Sequence, residues 1–130
     1  MFGQIDTIRM ARDLGAHATA RQQTVARNVA NADTPGYRAA DLRDFAQVWR
    51  DQPHTGLRAT RGGHLSAAGW GSTAAGRRVD AGGEPAPNGN TVSLEDEMIR
   101  AAGARRSFDL SLSVYQSGLS LMRTAIGRRG

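Results

Sequence analysis

The feature that most constrains this chain is a heptad repeat in its last third. Alternating steps of four and three residues from Leu94 reach Met98, Ala101, Arg105, Phe108, Leu112, Tyr115, Leu119, Met122 and Ile126. Apolar residues at alternating a and d positions define a coiled-coil seam. A helix over this span is roughly 50 Å long. A rod of that length cannot bury its seam against itself, so it requires a second long helix from the same chain or from a neighbour. Ser93 is placed to cap the start, and Glu95, Asp96 and Glu97 crowd the first turn, where negative charge meets the positive end of the helix dipole. Gly127, with Arg123, Arg128 and Arg129 nearby, suits the other end. Arg105 interrupts the seam, either as a snorkelling side chain or as a polar register marker.

A thinner stripe, Leu110, Val114, Leu121 and Ala125, is expected on the far side of the same helix. Two readings stand: scattered exposed apolar residues, which are common on protein surfaces, or a face touching neighbours in an assembly. Ser111, Ser113, Ser117, Gly118 and Ser120 are small enough to let neighbouring helices approach closely.

The N-terminal third repeats the theme with smaller side chains: Ile8, Ala11, Gly15, Ala18, Gln22, Val25, Val29 and Ala32. Such a seam admits a partner at short distance, and the bulky C-terminal seam is expected to supply the volume. Gly15 costs about 1 kcal/mol relative to Ala in a helix; close packing would be a reason for it, and mere tolerance is the safer reading. The expected architecture is mainly α: two long terminal helices pairing antiparallel as a coiled coil, over 1–33 and 93–130. They are joined through 34–92 by a turn, an extended arm and a Gly/Pro-rich, partly disordered connection.

Composition narrows the function. The 130 residues contain no cysteine, so neither disulfides nor thiolate metal sites contribute. There is no run of about 18 apolar residues, and Met1–Leu14 lacks a basic-then-apolar leader pattern. Export, if it occurs, is expected by a route other than the general secretory one. The net charge is +5, but the arginines are spread from Arg9 to Arg129 rather than gathered on one face, which argues for solvated helix faces over a phosphate-binding patch. His17, His54 and His64 lack metal-ligand spacing, and no nucleotide-binding or nucleophile motif occurs. Glu95, Asp96 and Glu97 need no role beyond capping the helix start. No catalytic activity, cofactor or metal is expected.

The first helix should stop abruptly. Pro35 pushes Thr34 out of helical geometry, and Thr34-Pro35-Gly36-Tyr37 reads as a type II turn with Gly36 at positive φ. Asn31 can bond to the freed carbonyls or tolerate left-handed geometry, and Tyr37 can pack beside the turn. Leu42 and Phe45 are expected to dock an extended arm, 38–45, on the helices. Ala46–Arg50 reads as one further helical turn carrying Trp49. Leu57–Thr60 reads as a short strand and Trp70 as a packing anchor.

At this turn the residues stop being generic. Asn28-Val29-Ala30-Asn31 followed by Thr34-Pro35-Gly36-Tyr37-Arg38 resembles the signature near the N-terminus of flagellar basal-body rod and hook proteins. Asn88-Gly89-Asn90-Thr91-Val92-Ser93-Leu94-Glu95-Asp96-Glu97-Met98 is similar to the segment leading into the C-terminal helix of the proximal rod members of that family. Thr60 with His64-Leu65 is similar to a weaker family pattern. The abundance of Gly and Ala between Gly62 and Gly83 departs from the family's more polar middle.

The resemblance implies a structural subunit of the proximal rod, packed helically in the periplasmic space and transmitting torque between the membrane ring and the distal rod. It implies export by the flagellar type III apparatus, and contacts with copies of itself, other rod proteins, the adaptor FliE and the export gate. Asn28, Ala30, Asn31, Thr34, Pro35, Gly36 and Tyr37 form the family signature. Leu94, Met98, Phe108, Leu112, Tyr115, Leu119, Met122 and Ile126 are expected to pack the helix seam, and Leu110, Val114 and Leu121 to face other subunits.

The competing reading is a basic coiled-coil adaptor binding nucleic acid or an envelope component. A salt titration of DNA binding separates the two. A nucleic-acid binder loses affinity linearly in log salt with a slope set by its phosphate contacts, whereas a rod subunit is expected to show only weak, non-specific attraction.

Overall fold

Neither end of the chain contains a proline: Pro35, Pro53, Pro85 and Pro87 all lie between the two heptad regions. A computed structural model describes residues 2–52 and 76–127. Both ends are single helices, α1 (Phe2–Ala30) and α3 (Leu94–Gly127). Between them lie β1 (Ala40–Leu42), α2 (Phe45–Asp51) and β2 (Arg78–Asp80). The expected strand at 57–60, Trp70, and the Thr60/His64-Leu65 pattern fall outside the described residues.

α1 and α3 pack against each other along most of their length and run antiparallel. A Cβ on Gly15 would lie 3.0 Å from Ser111 Oγ, and one on Gly118 would lie 2.7 Å from Ile8 Cγ1. One step of seven residues back along α1 therefore matches seven forward along α3. On α1 the buried line is Ala11, Ala18 and Val25, as its small-residue seam predicts.

On α3 the contact line is not the bulky seam. The buried residues are Glu97, Ala104 and Ser111, and the series continues to Gly118. Of the expected seam, Tyr115, Leu119 and Met122 are half-buried, while Leu94, Met98, Phe108, Leu112 and Ile126 are exposed. The expectation that bulky side chains fill the space against α1 is thus corrected. An Ala/Gly seam brings the backbones so close that only small side chains fit on the line of contact. Gly15 is accordingly a close-approach residue rather than a tolerated one.

The second stripe is also relocated. Successive helical residues are about 100° apart, so Leu112 and Leu110 lie on opposite sides of Ser111. The bulky seam borders α1 on one flank. Leu110 and Leu121, both exposed, and the half-buried Val114 border it on the other; they are not on the far side of the helix. Ser111 and Gly118 are spent on the intrachain contact. Arg105 points outward and meets Asp109 at 3.5 Å, one helical turn along.

The arm follows its expected path. β1 pairs antiparallel with β2, Ala40 opposite Asp80, Asp41 opposite Val79 and Leu42 opposite Arg78. Leu42 is buried, and Phe45 opens α2 with its ring edge-on to His17, centroids 5.6 Å apart. The buried His17 donates from Nε2 to the Arg43 carbonyl at 2.8 Å, so the proton sits on that nitrogen. Val48 is buried, and the Arg9 guanidinium lies 5.7 Å from the Trp49 ring centre. β2 lies in a region read as irregular; its three residues are all exposed, so no hydrophobic alternation announced it.

The close approach has a measurable consequence. Gly118→Val places atoms where Ile8 already sits and is expected to cost about 1–3 kcal/mol, read as a lower midpoint in thermal circular dichroism. Gly103→Ala, whose nearest neighbour is Arg21 Nη1 at 3.9 Å, is expected to be neutral or to stabilise by up to about 1 kcal/mol.

Candidate functional site

The two motifs that stand out in the sequence, 28–38 and 88–98, meet in space. Asn28, on the last turn of α1, is fully buried and its amide is fully used. Nδ2 donates to the Ala40 carbonyl at 2.7 Å and to Glu97 Oε1 at 3.0 Å. Oδ1 accepts from the Ala40 N–H at 3.1 Å and the Tyr37 hydroxyl at 3.3 Å. This one side chain takes the place of a neighbouring strand for Ala40, satisfying both of its backbone groups, and ties α1 to α3. Satisfaction of this kind is what permits a buried amide, since orphaned polar groups cost about 1–3 kcal/mol each.

The turn after α1 closes as expected. Ala30 ends the helix, the Asn31 side chain donates to the Arg27 carbonyl at 2.8 Å, and Thr34 Oγ1 donates to Asn31 Oδ1 at 3.3 Å. The Tyr37 N–H reaches the Thr34 carbonyl at 3.3 Å across Pro35 and Gly36, and Gly36 has φ +72°. A side chain there would be strained. Thr34, Pro35 and Gly36 are exposed, and Tyr37 is half-buried.

From the other motif, Asn90 reaches into the end of α1. Its buried Nδ2 lies 2.9, 2.9 and 2.8 Å from the carbonyls of Asn31, Ala32 and Thr34, and its Oδ1 accepts from the Val92 N–H at 2.8 Å. Gly36 N–H donates to the Asn88 carbonyl, Thr91 N–H to the Tyr37 carbonyl, and Ala39 N–H to Thr91 Oγ1. The segment leading into α3 therefore caps the carbonyl end of α1. Ser93 then caps α3 itself, accepting from the Asp96 N–H at 3.4 Å.

A neutral charge network backs this clasp. Asp41 on β1 receives two bonds from Arg21 of α1, at 2.9 and 2.8 Å, and faces Arg100 of α3 at 3.5 Å. Arg100 also pairs with Glu97 Oε1. Glu97 is fully buried and its Oε2 has no hydrogen-bond partner among the described residues. Its role is therefore not the exposed dipole partner expected from its place in the first turn, which falls to Glu95 and Asp96. Burial opposes the charge on Asp41. The Arg21 hydrogen bonds, the Leu42 N–H and the charges of Arg21 and Arg100 outweigh it and hold the carboxyl below the ordinary carboxylate range. The Arg21 guanidinium is correspondingly raised, by its bond to Asp41 above all.

Reasoning from sequence found Asn28, Asn31 and the turn. It missed Arg21, Asp41, Arg100 and the structural part played by Glu97 and Asn90. Nothing in a single sequence announces which of 17 arginines and 12 carboxylates will be enclosed.

A sequence profile described as "Flagella basal body rod protein" matches residues 16–38, the end of α1 with its turn. Over longer spans the chain is 33% identical across 114 residues to the flagellar basal body rod protein FlgB of Salmonella typhimurium, covering 82% of each chain. It is 31% identical to FlgB of Agrobacterium fabrum, covering 83% of each, and 31% identical to FlgB of Cereibacter sphaeroides, covering 87% of this chain and 92% of that one. This chain belongs to the FlgB family of flagellar basal body rod proteins. The profile match centres on the FlgB-family segment that Asn28 and Asn90 lock in place. No similarity found supports the nucleic-acid adaptor alternative.

The depressed Asp41 carboxyl sets a pH dependence for this FlgB-family clasp. A folded-state pKa below the unfolded one adds stability in full above the ordinary carboxylate range, and that stability is lost as pH falls through the depressed value. Acidification from about pH 5 to about pH 2 is therefore expected to release the arm, read by Trp49 fluorescence in a Trp70→Phe chain. Asp41→Asn is expected to weaken arm docking already at neutral pH and to flatten that acid transition.

Proposed function

We propose that this chain, a structural subunit of the flagellar basal-body rod by its family, occupies the proximal rod. In this reading it packs helically with copies of itself, and carries torque between the membrane ring and the distal rod. Its role is structural rather than catalytic. It sits in the periplasmic space after export by the flagellar type III apparatus, and it touches other rod proteins, the adaptor FliE and the export gate. The observation that carries this reading is the apolar surface left on α3. Met98 is 73% exposed and Ile126 71%, at opposite ends of the helix, with Leu94, Phe108 and Leu112 exposed along the same side. Large apolar side chains left uncovered along the length of one helix suit an interaction face. A rod supplies covering neighbours, and a rigid clasp at Asn28 and Asn90 fixes how each subunit's arm leaves its helices. Among the described residues no helix is long and apolar enough to cross a membrane, in keeping with a subunit held by protein contacts.

Substitution on the exposed face separates folding from assembly. Met98→Asp touches a side chain with little to lose within the chain, so the free chain's melting curve is expected to shift by no more than about 0.5 kcal/mol. In cells lacking the native gene, the same variant is expected to leave basal bodies without this subunit and to abolish motility. Normal swimming of a deletion strain, or absence of the native chain from purified basal bodies, would overturn the rod assignment.

A further inference from the structure

The loop that carries Asn90 to the end of α1 also holds the chain's one Asn-Gly pair, Asn88-Gly89. Of the four asparagines, Asn88 alone is exposed and alone precedes a glycine. Gly89 N–H donates to the Ala86 carbonyl at 2.7 Å, and Ala86 N–H to the Asn90 carbonyl at 2.8 Å. Pro87 and Asn88 are therefore the central residues of a turn, and Gly89 follows them with φ +82°. A left-handed residue directly after such a turn calls for glycine. A Cβ there would also lie 3.4 Å from Gly36 Cα. The turn thus requires glycine, and the same lack of a side chain leaves the Gly89 nitrogen unhindered beside the Asn88 amide.

An asparagine amide followed by an unhindered main-chain nitrogen reacts with it. Gly89 N gives its proton to solvent hydroxide and bonds to Asn88 Cγ. The Cγ–Nδ2 bond breaks, and the nitrogen leaves as ammonia with a proton returned by water, so that a cyclic imide remains. Water then opens the ring at either carbonyl. Opening at Cγ gives aspartate with the main chain unchanged. Opening at the main-chain carbonyl gives isoaspartate, whose backbone runs through Cβ and Cγ and leaves the former carbonyl as a free carboxylate. Ring closure requires rotation of the whole Asn88–Gly89 peptide group, and the fold holds both ends of that group. Its carbonyl accepts from Gly36 N–H at 2.9 Å, and its N–H is engaged by Ala86. Asn88 Oδ1 accepts from the Asn90 N–H at 3.0 Å, and Asn90 is anchored in turn, through Nδ2, to the end of α1.

We propose that Asn88 is a site of spontaneous imide formation and isoaspartate modification, inert while the clasp between α1 and α3 is closed and reactive when it opens. Local opening exposes the peptide group without unfolding the helices, so the reaction rate follows the fraction of chains with an open clasp. The isoaspartate product cannot restore the clasp. The acceptor for Gly36 N–H has left the main chain, and an extra backbone atom displaces Asn90 from the carbonyls of Asn31, Ala32 and Thr34. A chain left unclasped is therefore converted irreversibly, whereas one held closed keeps Asn88 intact. The chemistry does not depend on where the chain assembles.

Peptide mapping after incubation tests this. Trypsin releases Val79–Arg100 with Asn88 and Asn90 inside it, and fragment masses tell the two apart. In warm, mildly alkaline urea, Asn88 and not Asn90 is expected to gain about 1 Da, the exchange of an amide for a carboxyl, and to accept a methyl group from isoaspartyl methyltransferase. In native buffer the rate at Asn88 is expected to fall by about tenfold or more, which corresponds to a local opening of about 1.4 kcal/mol. Asn90→Ala removes the anchor and, in a chain verified as helical by circular dichroism, is expected to bring the buffer rate close to the urea rate. If that variant does not fold, the native chain compared in buffer and urea carries the test. Gly89→Ala is expected to suppress the reaction in urea. Equal rates for the native chain in buffer and urea, or an unreactive Asn88 in urea, would overturn the proposal. So would undiminished modification of Gly89→Ala, or a helical Asn90→Ala chain as slow as the native one. After urea is removed, arm docking, read by Trp49 fluorescence in a Trp70→Phe chain, is expected to return for Asn88→Asp and to be lost for the isoaspartate fraction. Redocking of that fraction would also sink it.

Discussion

Everything in this structure depends on how closely α1 and α3 approach. With Ala11, Gly15, Ala18 and Val25 opposed to Ala104, Ser111 and Gly118, the helices touch nearly backbone to backbone. Dispersion and burial along such a line are real but uniform, and a seam of small residues can slide by a turn at little cost. The Asn28–Glu97 bond removes that freedom. It is a buried polar contact that only one register can make, comparable to the single buried asparagine that fixes register in coiled coils. Sliding α3 by one turn would break the Asn28–Glu97 bond and part Arg100 from Asp41, leaving a buried N–H and a buried carboxylate each one partner short, at a cost of about 1–3 kcal/mol.

The same contact governs the arm. Asn28 holds both backbone groups of Ala40, and Asp41 bridges Arg21 and Arg100. β1 is therefore docked on both helices at once, and its docking is coupled to their pairing. Asn90 closes the arrangement from the other side by satisfying the last carbonyls of α1. Two segments far apart in sequence thus form one junction. The exit direction set by Gly36 and the entry into α3 set by Ser93 are geometrically linked. For a structural subunit of a rod, a junction with few soft degrees of freedom resists bending at the turn.

Small residues at the intrachain contact also push the large ones outward. Leu94, Met98, Phe108, Leu112 and Ile126 are unburied within the chain because they flank the contact line, not because the helix lacks a partner. A narrow polar and small-residue strip pairs α3 with α1, and apolar side chains on its flanks are left uncovered within the chain. A contact made by small and polar side chains, with the large apolar ones left outside it, is unusual for a globule and suits a component whose stability is completed by neighbours.

How much of this was legible in the residues can be judged position by position. Helix extents, the stop at Pro35, the positive φ at Gly36, the Asn31 cap, the docking of Leu42 and Phe45 and the antiparallel pairing all follow from local rules, because dihedral preference and periodicity act over a few residues. The heptad reading located a seam but assigned the wrong face to α1. Periodicity reports which residues share a stripe, not which stripe meets which helix, and Ser111 scores as polar although its small size puts it at the contact. Glu97, Asp41, Arg21 and Arg100 were invisible for a related reason: whether a charge is enclosed depends on what arrives from elsewhere in the chain. The sequence by itself determined two long helices, the place where each starts or stops, and a surplus of apolar surface. Only the tertiary structure decided which line on α3 is buried, which charges are shared across the junction, and that the surplus is divided between two flanks, because those outcomes are set by interhelical distance.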